Sequence, residues 1–190
     1  MRVIAGSARR IQLKTVKGME TRPTTDRIKE TLFNMIQPVL CDASFLDLFS
    51  GSGGIGIEAL SRGAAKASFV ENDREAAGCI KANLKATKLT DKAAIYNNDV
   101  FSVFKIMEEK KETFDIIFMD PPYNQYYEKK VLDCLNNSSL VHKDTMIIVE
   151  ASIDTEFNYI EDSDYEIFKI KNYKTNKHVF IHKKTGKEEQ

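Results

Sequence analysis

The sequence predicts a doubly wound α/β sheet, mostly parallel, closed by an antiparallel C-terminal pair and preceded by a small hairpin-and-helix extension. Three observations predict it. From Ala43 onward, short apolar runs alternate with amphipathic helical patterns, the order that builds a parallel sheet with right-handed crossovers and helices on both faces. The first run, Phe45–Phe49, turns through Gly51, Gly53, Gly54 and Gly56 into a helical pattern, the strand–turn–helix that opens such sheets. After Ile153 two strand-like runs follow one another with no helix between them, so the second returns antiparallel.

A chain of 190 residues suits one main domain with a sizeable core. Residues 1–42 read as an extension and residues 43–190 as that domain. Formal net charge is zero, so composition does not announce a nucleic-acid binder. The distribution says more. Residues 1–18 carry Arg2, Arg9, Arg10, Lys14 and Lys17 with no acid, whereas 151–168 hold six acids and no base. Such asymmetry gives a basic face despite overall neutrality. Cys41, Cys79 and Cys134 form no C-x-x-C pair, which argues against a disulfide framework or a zinc site. With no signal-like segment and no apolar run of membrane-spanning length, the chain is expected to be soluble, cytoplasmic, monomeric and free of metal.

In chain order, RVIAG and RIQLK read as two short strands around a Ser7-Ala8-Arg9 turn. Arginines at such a tip can grip a phosphate backbone; an ordinary solvated hairpin is the competing reading. Arg22-Pro23-Thr24-Thr25-Asp26-Arg27 opens a helix, with a threonine as cap and Asp26 at its positive end. A role for the threonines near a bound cofactor is the sharper alternative. Ile28, Leu32, Met35 and Ile36 recur at helical spacing and face the core, and Pro38 ends the helix. Strand-like runs then fall at Phe45–Phe49, Ala67–Glu71, Ala93–Asn97, Phe114–Met119 and Thr145–Glu150. Helical patterns lie at about 54–62, 74–87, 100–110 and 127–136. Tyr165–Ile170 and His178–His182 form the closing pair.

The carboxyl ends of the parallel strands carry Asp47 with Gly51, then Glu71, Asp99 and Asp120, where ligands bind in open α/β sheets. Any one acid reads as a solvated strand end, but four in succession point to a site. Gly51 to Gly56 also satisfies the dinucleotide pattern G-x-G-x-x-G, with Glu71 twenty residues after Gly51, so a nicotinamide or flavin oxidoreductase is a rival. Asp47 weighs against it: a carboxylate ahead of the turn suits a cationic amino group and repels a pyrophosphate. Glu71 can accept ribose hydroxyls, Asp99 can accept from an adenine amino group, and the Val100 N–H can meet the ring. Asp120-Pro121-Pro122-Tyr123 has no task in hydride transfer. A carboxylate and the Pro121 carbonyl can accept both hydrogens of an exocyclic amino group and localise its lone pair for attack on a methyl. The two prolines fix the backbone, and Tyr123 can stack on a base turned out of its helix.

With those residues in hand, the chain resembles the RsmD-type methyltransferases, which methylate the 2-amino group of a guanine in 16S ribosomal RNA. The resemblance rests on the RVIAG–R hairpin, RPTTDRIKETLFN (22–34), LDLFSGSGGIGIEALSRGA (46–64), FVENDREA (69–76) and IIFMDPPY (116–123). It implies a seven-stranded Rossmann-like sheet, S-adenosylmethionine as methyl donor, and an assembling or assembled 30S particle as partner. Asp47, Ser50, Gly51 and Gly53 would then hold the methionine end, Glu71 with Asn72 the ribose, and Asp99 with Val100 the adenine. Asp120, Pro121, Pro122 and Tyr123 would hold the guanine, and Arg2, Arg9, Arg10, Lys14, Arg22 and Arg27 the RNA. A DNA or small-substrate amino methylase with the same DPPY site is the alternative. Tyr173-Lys174-Thr175-Asn176-Lys177 departs from the family's Tyr-Gly before the last strand, so no RNA contact is carried over there.

Overall fold

Leu46, Leu48, Phe69, Val70 and Ile116 to Met119 leave no hydrophilic face on the central strands, so helices must cover both sides. The computed structural model, which describes residues 1–16, 26–122 and 125–184, has that arrangement. β1 (Ser44–Leu48), β2 (Lys66–Val70), β3 (Ala93–Tyr96), β4 (Phe114–Met119) and β5 (Val141–Ser152) run parallel. β6 (Tyr165–Asn172) and β7 (Asn176–Lys183) complete the order β3-β2-β1-β4-β5-β7-β6, with β7 antiparallel to both neighbours. Winding reverses between β1 and β4, which leaves a crevice beyond their carboxyl ends.

α1 (Asp26–Leu40), α2 (Gly54–Ser61) and α3 (Arg74–Thr87) contribute to one apolar cluster, centred on Phe33, Phe45, Ile57 and Ile80. α4 (Val100–Glu109) and α5 (Tyr127–Asn136) contribute Val103, Met107, Leu132 and Leu135 to the other. α3 starts where the Asp73 carboxylate accepts from the Ala76 N–H, and α4 where Asp99 accepts from Phe101 and Ser102, each satisfying donors with no intrahelical partner. Among the described residues no helix is long and apolar enough to cross a membrane, and no group of three or more His, Cys, Asp or Glu is placed to hold a metal.

Three expectations are corrected. RVIAG and RIQLK do not form regular strands; a single antiparallel bridge joins Arg2 and Gln12. The two segments still pair at their base, Val3 N–H donating to the Ile11 carbonyl and Leu13 N–H to the Met1 carbonyl, but the donors between are engaged by α2. Ile4 and Ala5 N–H donate to the Glu58 carboxylate (2.8 and 3.0 Å), Ser7 N–H to the Ser61 carbonyl, and Ala8 N–H to the Ser61 hydroxyl. Pro38 does not end α1, which runs on to Leu40. Proline lacks the N–H that would reach the Asn34 carbonyl, both residues are exposed, and Leu40 is fully buried and holds the last turn down. β5 is twice the expected length, with a register shift against β4 where the Thr145 hydroxyl donates to the Phe114 carbonyl. Of the residues expected to face the core from α1, Leu32 and Ile36 are buried, and Ile28 and Met35 half-buried. Thr24, Thr25, Arg22 and Tyr123 lie outside the described residues.

Glu58 anchors the N-terminal segment. It is fully buried, with Arg62 Nε at 2.7 Å and Lys29 Nζ at 3.4 Å. Lys29 is itself 2% exposed and donates to the Arg2 carbonyl at 2.6 Å. Burial holds the Lys29 ammonium below its ordinary value, and the adjacent Glu58 opposes that shift. Val3, Ala8 and Leu13 pack into the same cluster as α1 and α2.

Candidate active site

β1 leaves the sheet through Phe49, whose φ of 60° places a bulky residue in the left-handed region. The chain then turns sharply into α2. Gly53 caps that helix at φ 82°, a conformation costly for any residue with a side chain. Gly56 is needed for a different reason: a Cβ there would lie 2.3 Å from the Phe69 ring and 3.1 Å from Asp47 Oδ2. The Gly56 N–H can therefore donate to Asp47 Oδ2 at 2.8 Å. Ser50 fixes the base of the turn, its hydroxyl set 2.6 Å from the Asp47 carbonyl and 3.2 Å from the Val70 carbonyl.

A cleft of about 780 Å³ opens beyond the strand ends, within the range that holds a nucleoside-sized ligand. Gly51, Glu71, Asn72, Asp99 and Val100 line it together with Asp120, Pro121 and Pro122. The structure thus brings eight of the expected site residues to one cavity. Asp47, Ser50 and Gly53 are buried and do not line it. Asp47 is 2% exposed, and burial, followed by the nearby Glu71 charge, raises its carboxyl to about 7 against the Gly56 hydrogen bond. Glu71 holds the turn closed: Oε2 accepts from the Gly51 N–H at 2.7 Å and Oε1 from the Asp73 N–H at 2.8 Å. Each oxygen keeps a second lone pair for a ligand hydroxyl. Asp99 is exposed, and hydrogen bonds from Ser102 and Phe101 hold it below the ordinary carboxylate value.

Asp120 opens onto the cleft, yet the protein around it withdraws it from bulk water. That desolvation, then the charges of Glu150 and Asp47, push its carboxyl well above the ordinary value. A cation entering the cleft acts the other way and favours the ionised form.

Sequence reasoning missed several lining residues. Phe49 and Phe101 close on Tyr127, edge-on at 6.0 Å and stacked at 6.5 Å between centroids. Glu150, 4% exposed, reaches the cleft from the end of β5. Its Oε1 accepts from Asn176 Nδ2 at 2.6 Å, its Oε2 lies 3.2 Å from His178 Nε2, and His178 Nδ1 lies 3.2 Å from the Tyr173 hydroxyl. Glu150 was legible as an acid at a strand end; its partners on β7 were not.

The basic residues are spread over the N-terminal segment. Arg9, Arg10 and Lys14 are exposed, as is Arg27 on α1. Arg2 pairs with Asp26 at 2.8 Å. Asn83 ties this segment to the glycine turn: it accepts from the Lys14 N–H at 2.7 Å and donates to the Lys14 and Ser52 carbonyls at 2.9 Å each.

Known proteins share this arrangement. YlbH of Bacillus subtilis (strain 168) is 42% identical over 156 residues, covering 82% of this chain and 85% of its own. Ribosomal RNA small subunit methyltransferase D of Escherichia coli (strain K12) is 36% identical over 154 residues, 81% of this chain and 76% of its own. The solved structure of yhhF from Escherichia coli superposes with a TM-score of 0.81 at 32% identity, covering 96% of this chain and 97% of that one. The family described as Conserved hypothetical protein 95 matches residues 1–182. The chain belongs to that family, the family of the RsmD-type ribosomal RNA methyltransferases.

Proposed function

We propose that this protein transfers a methyl group from S-adenosylmethionine to the 2-amino group of a guanine in 16S ribosomal RNA. Its substrate is an assembling or assembled 30S particle, met by a monomer in the cytoplasm through the exposed arginines of the N-terminal segment. The observation that carries the reading is the convergence of Glu71, Asp99 and Asp120-Pro121-Pro122 on one cleft. The residues fit the donor: Glu71 offers lone pairs for ribose hydroxyls, Asp99 and Val100 stand where an adenine edge would lie, and Phe101 and Tyr127 offer apolar surface. Against a dinucleotide stands the Glu71 carboxylate on the Gly51 N–H, a negative charge where a pyrophosphate would need that donor.

When bound, S-adenosylmethionine supplies an electrophilic methyl on a sulfonium. Asp120 and the Pro121 carbonyl accept the two amino hydrogens, which turns the nitrogen lone pair out of conjugation with the ring. As the nitrogen gains positive charge those hydrogen bonds strengthen, so they act on the transition state more than on the bound substrate. As the new N–C bond forms, the methyl's bond to sulfur would break with its electron pair returning to sulfur as a neutral thioether, and the nitrogen sheds one proton toward the carboxylates of the cleft.

Asp120→Asn tests this. It keeps shape but removes the charge, and single-turnover transfer to unmethylated small subunits should fall by roughly a hundredfold or more. Binding of S-adenosylmethionine by calorimetry should change little. Mass mapping of the product should give N2-methylguanosine; a methyl on another base, or a near wild-type rate for the variant, overturns the reading.

A further inference from the structure

β4 and β5 run parallel with Met119 beside Val149, so the residues that follow, Asp120 just past the end of β4 and Glu150 still within β5, lie side by side. Both line the cleft, and the charge of Glu150 acts on Asp120. Glu150 is no solvated strand end. Asn176 and His178 hold its two oxygens from β7, and His178 is fully buried between Tyr173 and Phe118. One tautomer satisfies the whole chain of contacts: the Tyr173 hydroxyl donates to Nδ1, and the Nε2–H donates to Glu150. Burial, with the Glu150 charge second, raises the Tyr173 phenol to about 12, so it stays a donor. Every partner in this network presents a hydrogen to Glu150. What Glu150 presents to the cleft is a fixed acceptor, beside the acceptor already supplied by Asp120.

Two adjacent acceptors select among the bases. Guanine carries a ring N1–H directly beside its 2-amino group. Adenine and cytosine carry an unprotonated ring nitrogen beside theirs, and a carboxylate facing it would set lone pair against lone pair inside a desolvated cleft. We propose that Glu150 is the specificity-determining residue of this site, accepting the guanine N1–H while Asp120 and the Pro121 carbonyl hold the amino group. Asn176, His178 and Tyr173 are its positioning residues. The assignment rests on the guanine-methyltransferase reading above and adds to it the group that recognises the base. Tying β5 to β7 does not account for Glu150, because the backbone ladder from Ile147 to Ser152 already does so and needs no carboxylate in the cleft.

The test replaces the target guanine in small-subunit RNA with 2,6-diaminopurine or 2-aminopurine. Both keep the 2-amino group and both lack the N1–H, while they differ at position 6. Single-turnover transfer by the wild-type protein should favour guanine over either analogue by about tenfold to a hundredfold, the discrimination expected of one well-placed base contact. Glu150→Gln can turn an amide N–H toward an unprotonated N1, so the preference should narrow or invert. His178→Asn, which loosens the carboxylate without removing it, should narrow the preference less. Thermal melting and S-adenosylmethionine affinity establish that each variant is folded.

Equal loss on all three bases in Glu150→Gln would make Glu150 a structural or purely electrostatic residue and overturn the proposal. Wild-type protein methylating the analogues as fast as guanine overturns it too, even if Glu150→Gln does not fold, and leaves the methyltransferase reading standing. Wild-type protein forming no N2-methylguanosine overturns both.

Discussion

Asp47 sits 2% exposed beneath the glycine turn, with the Gly56 N–H donating to it. Burial raises its carboxyl from 3.8 to about 7, and each tenfold change in proton affinity is worth about 1.4 kcal/mol. The native fold therefore favours the neutral form by on the order of 4 kcal/mol. The sign follows from which state holds the proton. Below pH 4 native and unfolded chains are both protonated at this residue, and it costs nothing. As pH rises from about 4 the unfolded chain loses the proton while the native one keeps it, so stability falls until the native carboxyl also ionises near pH 7. Asp120 shifts the same way, so the wild-type curve alone cannot isolate Asp47. Asp47→Asn keeps an oxygen for the Gly56 N–H but cannot ionise. Its stability relative to wild type should be near equal at pH 3.5 and should climb by as much as about 4 kcal/mol by pH 8. Urea titrations at half-unit pH steps measure this; circular dichroism is the probe, since the chain has no tryptophan. A difference that does not vary with pH would mean that Asp47 is ionised in the native state, and the desolvation argument would fail. Cofactor affinity in the same variant separates two roles: a loss would mean that the donor's amino group reaches Asp47, and no change that Asp47 serves only to hold the turn through Gly56.

Two further outcomes follow from the N-terminal segment. Glu58→Gln leaves Lys29 buried beside a neutral side chain, and should cost about 3–5 kcal/mol and expose residues 1–16 to limited proteolysis; the double variant with Lys29→Met should recover most of the loss, and no recovery would mean that the backbone donors of Ile4 and Ala5 carry the effect. Replacing Arg9 with alanine and Arg10, whose φ is 71°, with asparagine should lower RNA affinity and flatten its salt dependence by about one to two in log–log slope. Unchanged slope and affinity would leave the segment as a solvated surface.

The sheet was legible because its signals are local. Phe114–Met119 is apolar but for Asp115, and β4 occupies those residues; α3 occupies 74–87 as its pattern indicates. The glycine turn was legible because close approach leaves a compositional trace, as Gly56 against Phe69 illustrates. The N-terminal hairpin was legible as a pairing around its turn but not in its extent, because nothing local distinguishes a backbone N–H bound for a strand from one bound for Glu58, more than fifty residues on. Glu58 itself lies in an apolar helical stretch where an acid reads as a solvated position. Pro38 carries a strong local rule, and the burial of Leu40 outweighs it.

Glu150 marks the boundary between the two kinds of signal. The run Thr145–Glu150 ends on an acid, as Ala67–Glu71 does, and Asp99 and Asp120 follow their runs closely, so a rule that collects carboxylates at the ends of parallel strands applies to it as well. Like Glu71 and Asp99, it has no glycine or proline motif beside it. The information that makes it more than a strand end, Asn176 and His178 on its two oxygens, lies 26 and 28 residues later on an antiparallel strand. Its register against β5 depends on how the chain returns from β6. Periodicity places β7; it does not say which of its residues face Glu150. A residue whose role depends on pairing register therefore stays hidden until the fold is known, even where its type and its place on a strand are plain.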